Sequence, residues 1–426
     1  MKFRTWIKKR GLKFIWQRGN HIIKRQGLTP DKAVRRIEKC VETLAQLNCA
    51  PTFPTPGVIV QRYPKFIRQL QQMGVEIAVH SYHHINLNEV PIIEAKQQLI
   101  QAIRTFEHFG IEVHGFRCPY LGYSAELLDS LPDGMFKYSS NEAVYWHPNN
   151  LTTDGNHFYE AVGKFYGGRS ASGSLCIPKM QSHLIEIPVC VPDDIQLCDG
   201  LCLDSDGIFE VWSQIQDAIY RRGELFTLVF HPELATLCNR AFISLMNYIN
   251  QLRPAVWVAR LKEISEWWQE KSQFAVEVTS DPKELIINFT CSPQATILVR
   301  GLNLPGSVET WDRSYSRLLS NTMVIPSNIR PFVGLANDIP KTIVSFLQEQ
   351  GYIVEAGETA HHCSVFLDKD TLAGLSTNLE LVECIESSQA PLVRFWRWPN
   401  GAKSALSITG DLDALSIMDY VSRIFI

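Results

Sequence analysis

Between residues 30 and 272 the chain alternates two kinds of hydrophobic pattern. Short runs rich in β-branched and aromatic residues read as strands at 51–54, 76–80, 113–117, 135–139, 184–189, 225–231 and 255–260. Between them, apolar residues recur at helical spacing and predict helices near 61–73, 92–109, 207–222, 239–253 and 262–271. An earlier helix opens at Thr29-Pro30, a cap and first-turn pair, and presents Ala33, Val34, Ile37, Val41 and Leu44 on one face. Strand and helix in alternation predict parallel pairing in a sheet or barrel, because each helix carries the chain back to the edge it left.

Near Phe274 the pattern changes. Residues 274–325 read as short strands (275–279, 285–290, 296–300) joined by polar turns. From Pro331 a smaller α/β rhythm returns, with strands at 332–335, 352–354 and 363–367 and a helix at 341–350 that stops at Gly351. Residues 392–398 then pass through a Pro-Asn-Gly turn into a strand at 405–409, followed by a short helix at 416–424. The expected division is an arm (1–29), a main α/β body (30–272), a β-rich region (273–330), a small α/β region (331–399) and a last strand and helix (400–426). There is no internal repeat and no low-complexity tract.

Composition changes this picture little. The chain has 426 residues, 45% of them hydrophobic and 20% charged, as expected of a globular protein with room for more than one domain. A net charge of −3 gives no global attraction to nucleic acid. The charge is uneven, however: residues 1–27 carry nine Lys or Arg and no acid. The apolar residues of this arm are interrupted by Lys and Arg, so it lacks the apolar core of a secretory signal. Two readings of it stay open, peripheral contact with an anionic membrane and a helix packed under the main body. The 11 cysteines are odd in number and scattered, which suits reduced thiols and a cytoplasmic setting, peripheral to the inner face of the membrane if the arm binds there. Cys198 and Cys202 lack a second ligand pair and read as structural.

The chemistry sits where the strands end. His80 and His84, four apart after the strand at 76–80, would put two imidazoles on one side of a turn. Two histidines and one carboxylate can hold a borderline cation such as zinc and leave room for water. Alone, such a pair is more often a surface accident. Asp411 and Asp413 follow the strand at 405–409, so one can ligate the cation while the other acts as general base. Their plain alternative is an acidic helix cap. His231 ends a very apolar strand and would suit protonation of a leaving group, unless it is a core histidine. Arg117, ending the strand at 113–117, could pair with Asp411 and hold it ionised, or form a structural ion pair.

Taken together, His80-Ser-Tyr-His-His84, Arg117-Cys-Pro-Tyr120, the Leu228–Pro232 segment with His231, and Thr409-Gly-Asp-Leu-Asp413 resemble the motifs of the polysaccharide deacetylases, the NodB-homology group of carbohydrate esterase family four. The resemblance covers about 30–272 plus 400–426 and extends to the strand and helix of 256–268, which look like the closing unit of that barrel. It implies a distorted β/α barrel of about seven or eight units, circularly permuted, with the β-rich and small α/β regions inserted. It further implies a divalent metal, most often Zn2+, held by Asp413, His80 and His84. Asp411 would then be the base, tuned by Arg117, and His231 the acid. The backbone N–H of Tyr120 would steady the oxyanion. The expected reaction removes an N-acetyl or O-acetyl group from a carbohydrate.

Two departures stand out. The acidic motif is Asp-Leu-Asp rather than adjacent acids, and the strand at 135–139, with Trp146 beyond it, carries Ser139 and Ser140 where the family has Asp. The segment Pro192-Asp193-Asp194 offers another source of acid. The order is also unusual, since the acidic motif comes last. A permuted barrel explains this, as does a chain cut from a longer one. A homodimer in which one chain lends Asp411 and Asp413 to the other fits both. Two other functions remain on the same residues: hydrolysis of a small amide or ureide, and glycan binding without turnover.

Overall fold

The computed structural model describes residues 27–422, apart from 148–152, 327 and 358. The basic arm lies outside the described residues up to position 26. Among the described residues, no helix is long and apolar enough to cross a membrane.

The main body is built on β1 (Thr52–Thr55), β2 (Glu76–Val79), β3 (Gly115–Phe116), β4 (Tyr138–Ser139), β5 (Leu184–Glu186), β6 (Leu225–Phe230), β7 (Val256–Val258) and β8 (Ser404–Gly410). β1 to β5 pair in sequence order, all parallel, and the strand Lys179–Gln181 adds antiparallel to β5. The other edge of β1 is taken by β8, where Thr52 sits opposite Thr409. β8 then runs beside β6 over six paired residues, from Leu225 opposite Ala405 to Phe230 opposite Gly410. Its first residues, Ser404–Leu406, pair with β7. A strand that meets β7 at its start and β1 at its end, along one edge, requires the sheet to curl into a half-barrel. All seven residues of β8 are buried. Burying Leu406 and Ile408 alone contributes roughly 1.5–3 kcal/mol each. Gly410 is required where β8 ends, because a Cβ there would lie 2.6 Å from Pro232 and 2.9 Å from Phe53.

Helices α1 (Asp31–Gln46), α2 (Ile92–His108), α3 (Ser205–Arg222), α4 (Asn239–Ile249) and α5 (Leu261–Lys271) cover this sheet. α1 buries Ala33, Ile37, Cys40, Val41 and Leu44, the stripe its spacing predicts. Asp204 caps α3 by accepting from Gly207 N–H, and Gly223 ends it at a φ of 67°.

The differences from the sequence reading have local causes. Thr29 does not cap α1: Pro30 occupies the cap position at a helical φ of −66°, and the Thr29 hydroxyl donates to Asp31 at 2.8 Å. The helix expected at 61–73 is two, Gly57–Arg62 and Pro64–Gln72, because the residue before Pro64 leaves the helical region. The strand expected at 184–189 breaks at Pro188, which lacks an N–H. Leu184–Glu186 stays in the main sheet, while Val189–Val191 joins Ala143–Tyr145 and Arg169–Ser170 in a second one. The helix Thr153–Tyr166 is an addition to the predicted elements; Gly155 and Gly163 within it weaken the helical signal.

Residues 275–326 form a three-stranded antiparallel sheet and part of a four-stranded one. Arg330–Leu335 lies between Val354–Ala356 and Cys363–Leu367 in a small parallel sheet. The next strand, Leu392–Phe395, returns to pair with Ile297–Arg300, so the two inserted stretches share a sheet. Their core continues under the half-barrel through Val333, Leu347, Trp267, Trp268 and Trp398. Trp398 is fully buried and donates to the Gly223 carbonyl at 2.9 Å, while Trp267 donates to the Arg397 carbonyl at 2.7 Å. These contacts fix where the chain re-enters as β8.

Candidate active site

Because β1–β4, β6 and β8 run parallel, the residues that follow them gather at one mouth. His80 follows β2, Arg117 follows β3, Ser140 follows β4, His231 follows β6 and Asp411 follows β8. The Asp411 N–H donates to the Phe230 carbonyl and that of Leu412 to Pro54, which ties the acidic loop to its two neighbours. One chain therefore delivers both acids to its own mouth.

Asp411 and Asp413 have different partners. Asp413 lies between the two imidazoles, with Oδ1 3.5 Å from His80 Nε2 and Oδ2 3.2 Å from His84 Nε2. One ligand atom from each of these three residues lies within 4.8 Å of the others, the one such group among the described residues. The donor set fits a small divalent cation. The second ring nitrogen of His80, Nδ1, is 2.8 Å from the Arg117 carbonyl, which as donor to that oxygen leaves the Nε2 lone pair facing Asp413 and His84. Burial lowers the His80 pKa against the pull of Asp411 and Asp413, which keeps the imidazole neutral as a ligand requires.

Asp411 instead meets Arg117, whose Nη1 donates to its Oδ1 at 2.8 Å. Arg117 is fully buried and held on every side. It also donates to Thr409 Oγ1 at 2.9 Å, to the Ser140 carbonyl at 3.2 Å and to the Ser140 hydroxyl oxygen at 3.0 Å. The serines at the end of β4 thus bind Arg117 and a second buried acid. Glu186 accepts from the Ser139 hydroxyl and from the N–H groups of Asn141 (2.6 Å) and Glu142 (2.7 Å). Asn141 in turn accepts from the Cys118 N–H at 2.6 Å, next to the Pro119-Tyr120 turn.

His231 is gripped by Asp194, which accepts its backbone N–H at 3.0 Å and its Nδ1 at 2.7 Å. Burial alone would favour the neutral ring. The Asp194 carboxylate outweighs it and carries the pKa well above the ordinary histidine value, with Asp413 and Glu233 adding to the effect. Asp193, beside it, is pushed up to about 7 by burial, against the pull of His231. The segment 192–194 thus brings a buried acid against His231. What the sequence left unassigned was its partner, since contact between positions 194 and 231 depends on the fold.

Tyr120 stands at the rim, 43% exposed, at a φ of 58° that non-glycine residues rarely adopt. Its ring meets His84 edge-on at 4.8 Å. Cys198 and Cys202 are thiols outside the His-His-Asp group.

Residues 20–137 match a family model described as polysaccharide deacetylase. That segment contains His80, His84, Arg117 and Tyr120; His231, Asp411 and Asp413 lie beyond it. Among solved structures the chain is similar to a protein from Mycobacterium smegmatis assigned to the polysaccharide deacetylases (23% identity, 56% of this chain and 77% of that one, TM-score 0.41). It is also similar to a peptidoglycan deacetylase from Bacillus subtilis (15% identity, 56% and 86%, TM-score 0.32) and to an allantoinase (18% identity, 56% and 72%, TM-score 0.41). No curated protein matches the sequence.

Proposed function

We propose that this chain, a polysaccharide deacetylase of the NodB type, hydrolyses acetyl groups from a carbohydrate at the mouth where β2, β3, β6 and β8 end. The observation that carries this reading is the separation of two acids only two residues apart. Asp413 faces His80 and His84, while Asp411 is 2.8 Å from the Arg117 guanidinium. This difference in partners supports one carboxylate as a ligand and the other as the group that moves a proton.

His80, His84 and Asp413 would hold a divalent cation, Zn2+ by the softness of two imidazoles with one carboxylate. When bound, it supplies Lewis acidity, making water more acidic and an acyl carbonyl more electrophilic. Asp411 takes the proton of the attacking water. Arg117, itself held by Thr409 and Ser140, fixes the direction of that carboxylate. The backbone N–H of Tyr120 is the donor assigned to the developing oxyanion. Protonated His231, held by Asp194, gives its proton to the leaving nitrogen or oxygen as the acyl bond breaks, releasing acetate.

The test is metal content together with acetate release from N-acetylated oligosaccharides. Asp411→Asn is expected to keep one metal per chain and to lose about 10²–10⁴-fold in kcat, the usual contribution of a positioned base. Asp413→Asn is expected to lose the metal as well. Unchanged acetate release by Asp411→Asn would sink the assignment of the base. Stoichiometric metal without acetate from any N- or O-acetylated sugar would point to a small amide or ureide substrate, or to glycan binding without turnover.

A further inference from the structure

A cavity of about 650 Å³ lies where β7 and β8 begin, at the other end of the strands from Asp411 and Asp413. Its size falls within the roughly 300–1,000 Å³ typical of ligand sites. Three separate stretches of chain meet there. Arg253 comes from the loop between α4 and β7, and Lys403 directly precedes β8. Thr310, Asp312, Arg313 and Ser314 come from the tip of the hairpin that pairs Val308–Thr310 with Ser316–Leu318. That hairpin belongs to the inserted β-rich region, so the cavity sits on the seam between this region and the base of the half-barrel.

Each stretch is fixed by its own contacts. At the hairpin tip, the N–H groups of Trp311 and Asp312 donate to the Tyr315 carbonyl at 3.2 and 3.1 Å. Asp312 Oδ1 in turn accepts from the N–H groups of Ser314 and Tyr315 at 2.8 and 2.9 Å. The Lys403 N–H donates to the Ala255 carbonyl at 2.8 Å, and its ammonium lies 5.4 Å from the Tyr220 ring centre and 5.6 Å from that of Trp311. Arg253 Nη1 donates to the carbonyls of Asn250 and Leu252 at 2.9 and 2.7 Å.

Charge selects the ligand class. The lining holds three cations and one acid, and the acid is already engaged: Asp312 Oδ2 meets Lys403 Nζ at 2.9 Å while Oδ1 takes its two N–H groups. Among the described residues neither Arg253 nor Arg313 has an ion-pair partner. Two guanidinium groups lining one space repel each other, and an anion between them replaces that repulsion with attraction. A guanidinium presents its N–H donors in a planar fork that matches two oxygens of a phosphate at once. The hydroxyls of Thr310 and Ser314 add neutral donors beside the two forks. A neutral ligand would leave the two cations uncompensated.

We propose that this cavity is an anion site that takes a phosphate group, free or as a phosphate monoester. Bound there, the phosphate bridges Arg253 on the half-barrel to Arg313 on the hairpin and fastens the inserted region to the base on which β8 starts. The site stands apart from the deacetylase reading, since neither arginine belongs to the catalytic mouth.

The test is calorimetric titration of the whole chain with inorganic phosphate at low ionic strength, repeated with glycerol phosphate as the monoester. Asp413→Asn is titrated alongside, to separate this site from phosphate held on a cation at the mouth. One phosphate per chain is expected in both proteins, with the tighter of the two probes naming the source. Arg253→Gln/Arg313→Gln is expected to weaken binding about tenfold or more, the effect of losing charge-assisted hydrogen bonds. Phosphate should raise the Tm of the unaltered chain and leave that of the double variant in place. Ser314→Glu sets a carboxylate between the arginines, so it should abolish phosphate binding and raise the Tm without phosphate. Absence of binding, or equal affinity in the arginine and Ser314→Glu variants, overturns the site. Binding lost in Asp413→Asn but kept in the arginine variant places the phosphate at the mouth and overturns it equally.

Discussion

At His231 two forces of opposite sign meet, and their outcome decides what the residue can do. Burial disfavours the imidazolium, but an aspartate 2.7 Å from Nδ1 restores it with a margin. A general acid must carry its proton at working pH, so turnover should fall as pH rises through the His231 pKa. Removing the Asp194 charge lowers that pKa and draws this alkaline limb toward neutrality. Asp194→Asn keeps the shape and a hydrogen-bonding oxygen, and is expected to move the limb down by about one to three pH units, the usual effect of one adjacent charge. The check is a kcat–pH profile on an N-acetylated oligosaccharide, and a limb that stays in place would remove Asp194 from the mechanism. His231 itself was legible in the sequence, because an apolar run ending in His-Pro marks a strand delivering a polar group. Its partner was not, since positions 194 and 231 are joined only by the path of the chain through the second sheet.

Strand ends carry the rest of the site, and the short strands among them need support. β3 and β4 pair over only two residues, yet Arg117 leaves β3 and must hold still. Glu186, fully buried at the end of β5, ties the Ser139–Glu142 turn together by three hydrogen bonds, and that turn presents both Ser140 oxygens to Arg117. Glu186→Ala would leave these buried donors without an acceptor, at roughly 1–3 kcal/mol for each. The expected loss of stability exceeds about 3 kcal/mol, with Glu186→Gln losing less because it retains one acceptor. Urea unfolding measures it; a loss under about 1 kcal/mol for Glu186→Ala would mean that the turn supports itself. Elements with long uniform patterns, such as α1 and β6, were legible from spacing alone. The break at Pro188 and the glycine-bearing helix Thr153–Tyr166 were not, because local propensity there is overridden by which sheet or cavity the segment meets.

In the molecule as a whole, the order of the motifs is resolved by where β8 lies. The Thr409 hydroxyl donates to the Leu228 carbonyl across 181 positions of sequence, and Leu412 N–H to Pro54 across a longer gap still. The last strand thus reaches β1 and β6 from the far side of the inserted region. The strand's apolar run and the acids behind it were legible in the sequence, but its slot between β1 and β6 could be inferred only by analogy. Without β8, one edge each of β1, β6 and β7 loses its partner, and Arg117 loses both Thr409 and Asp411. A chain ending at residue 399 is therefore expected to take up no zinc, and co-expression with a fragment covering 400–426 should restore one zinc per complex. Metal bound stoichiometrically by the shortened chain alone would show that the two histidines find their third ligand elsewhere, and the last strand would then have no part in building the metal site.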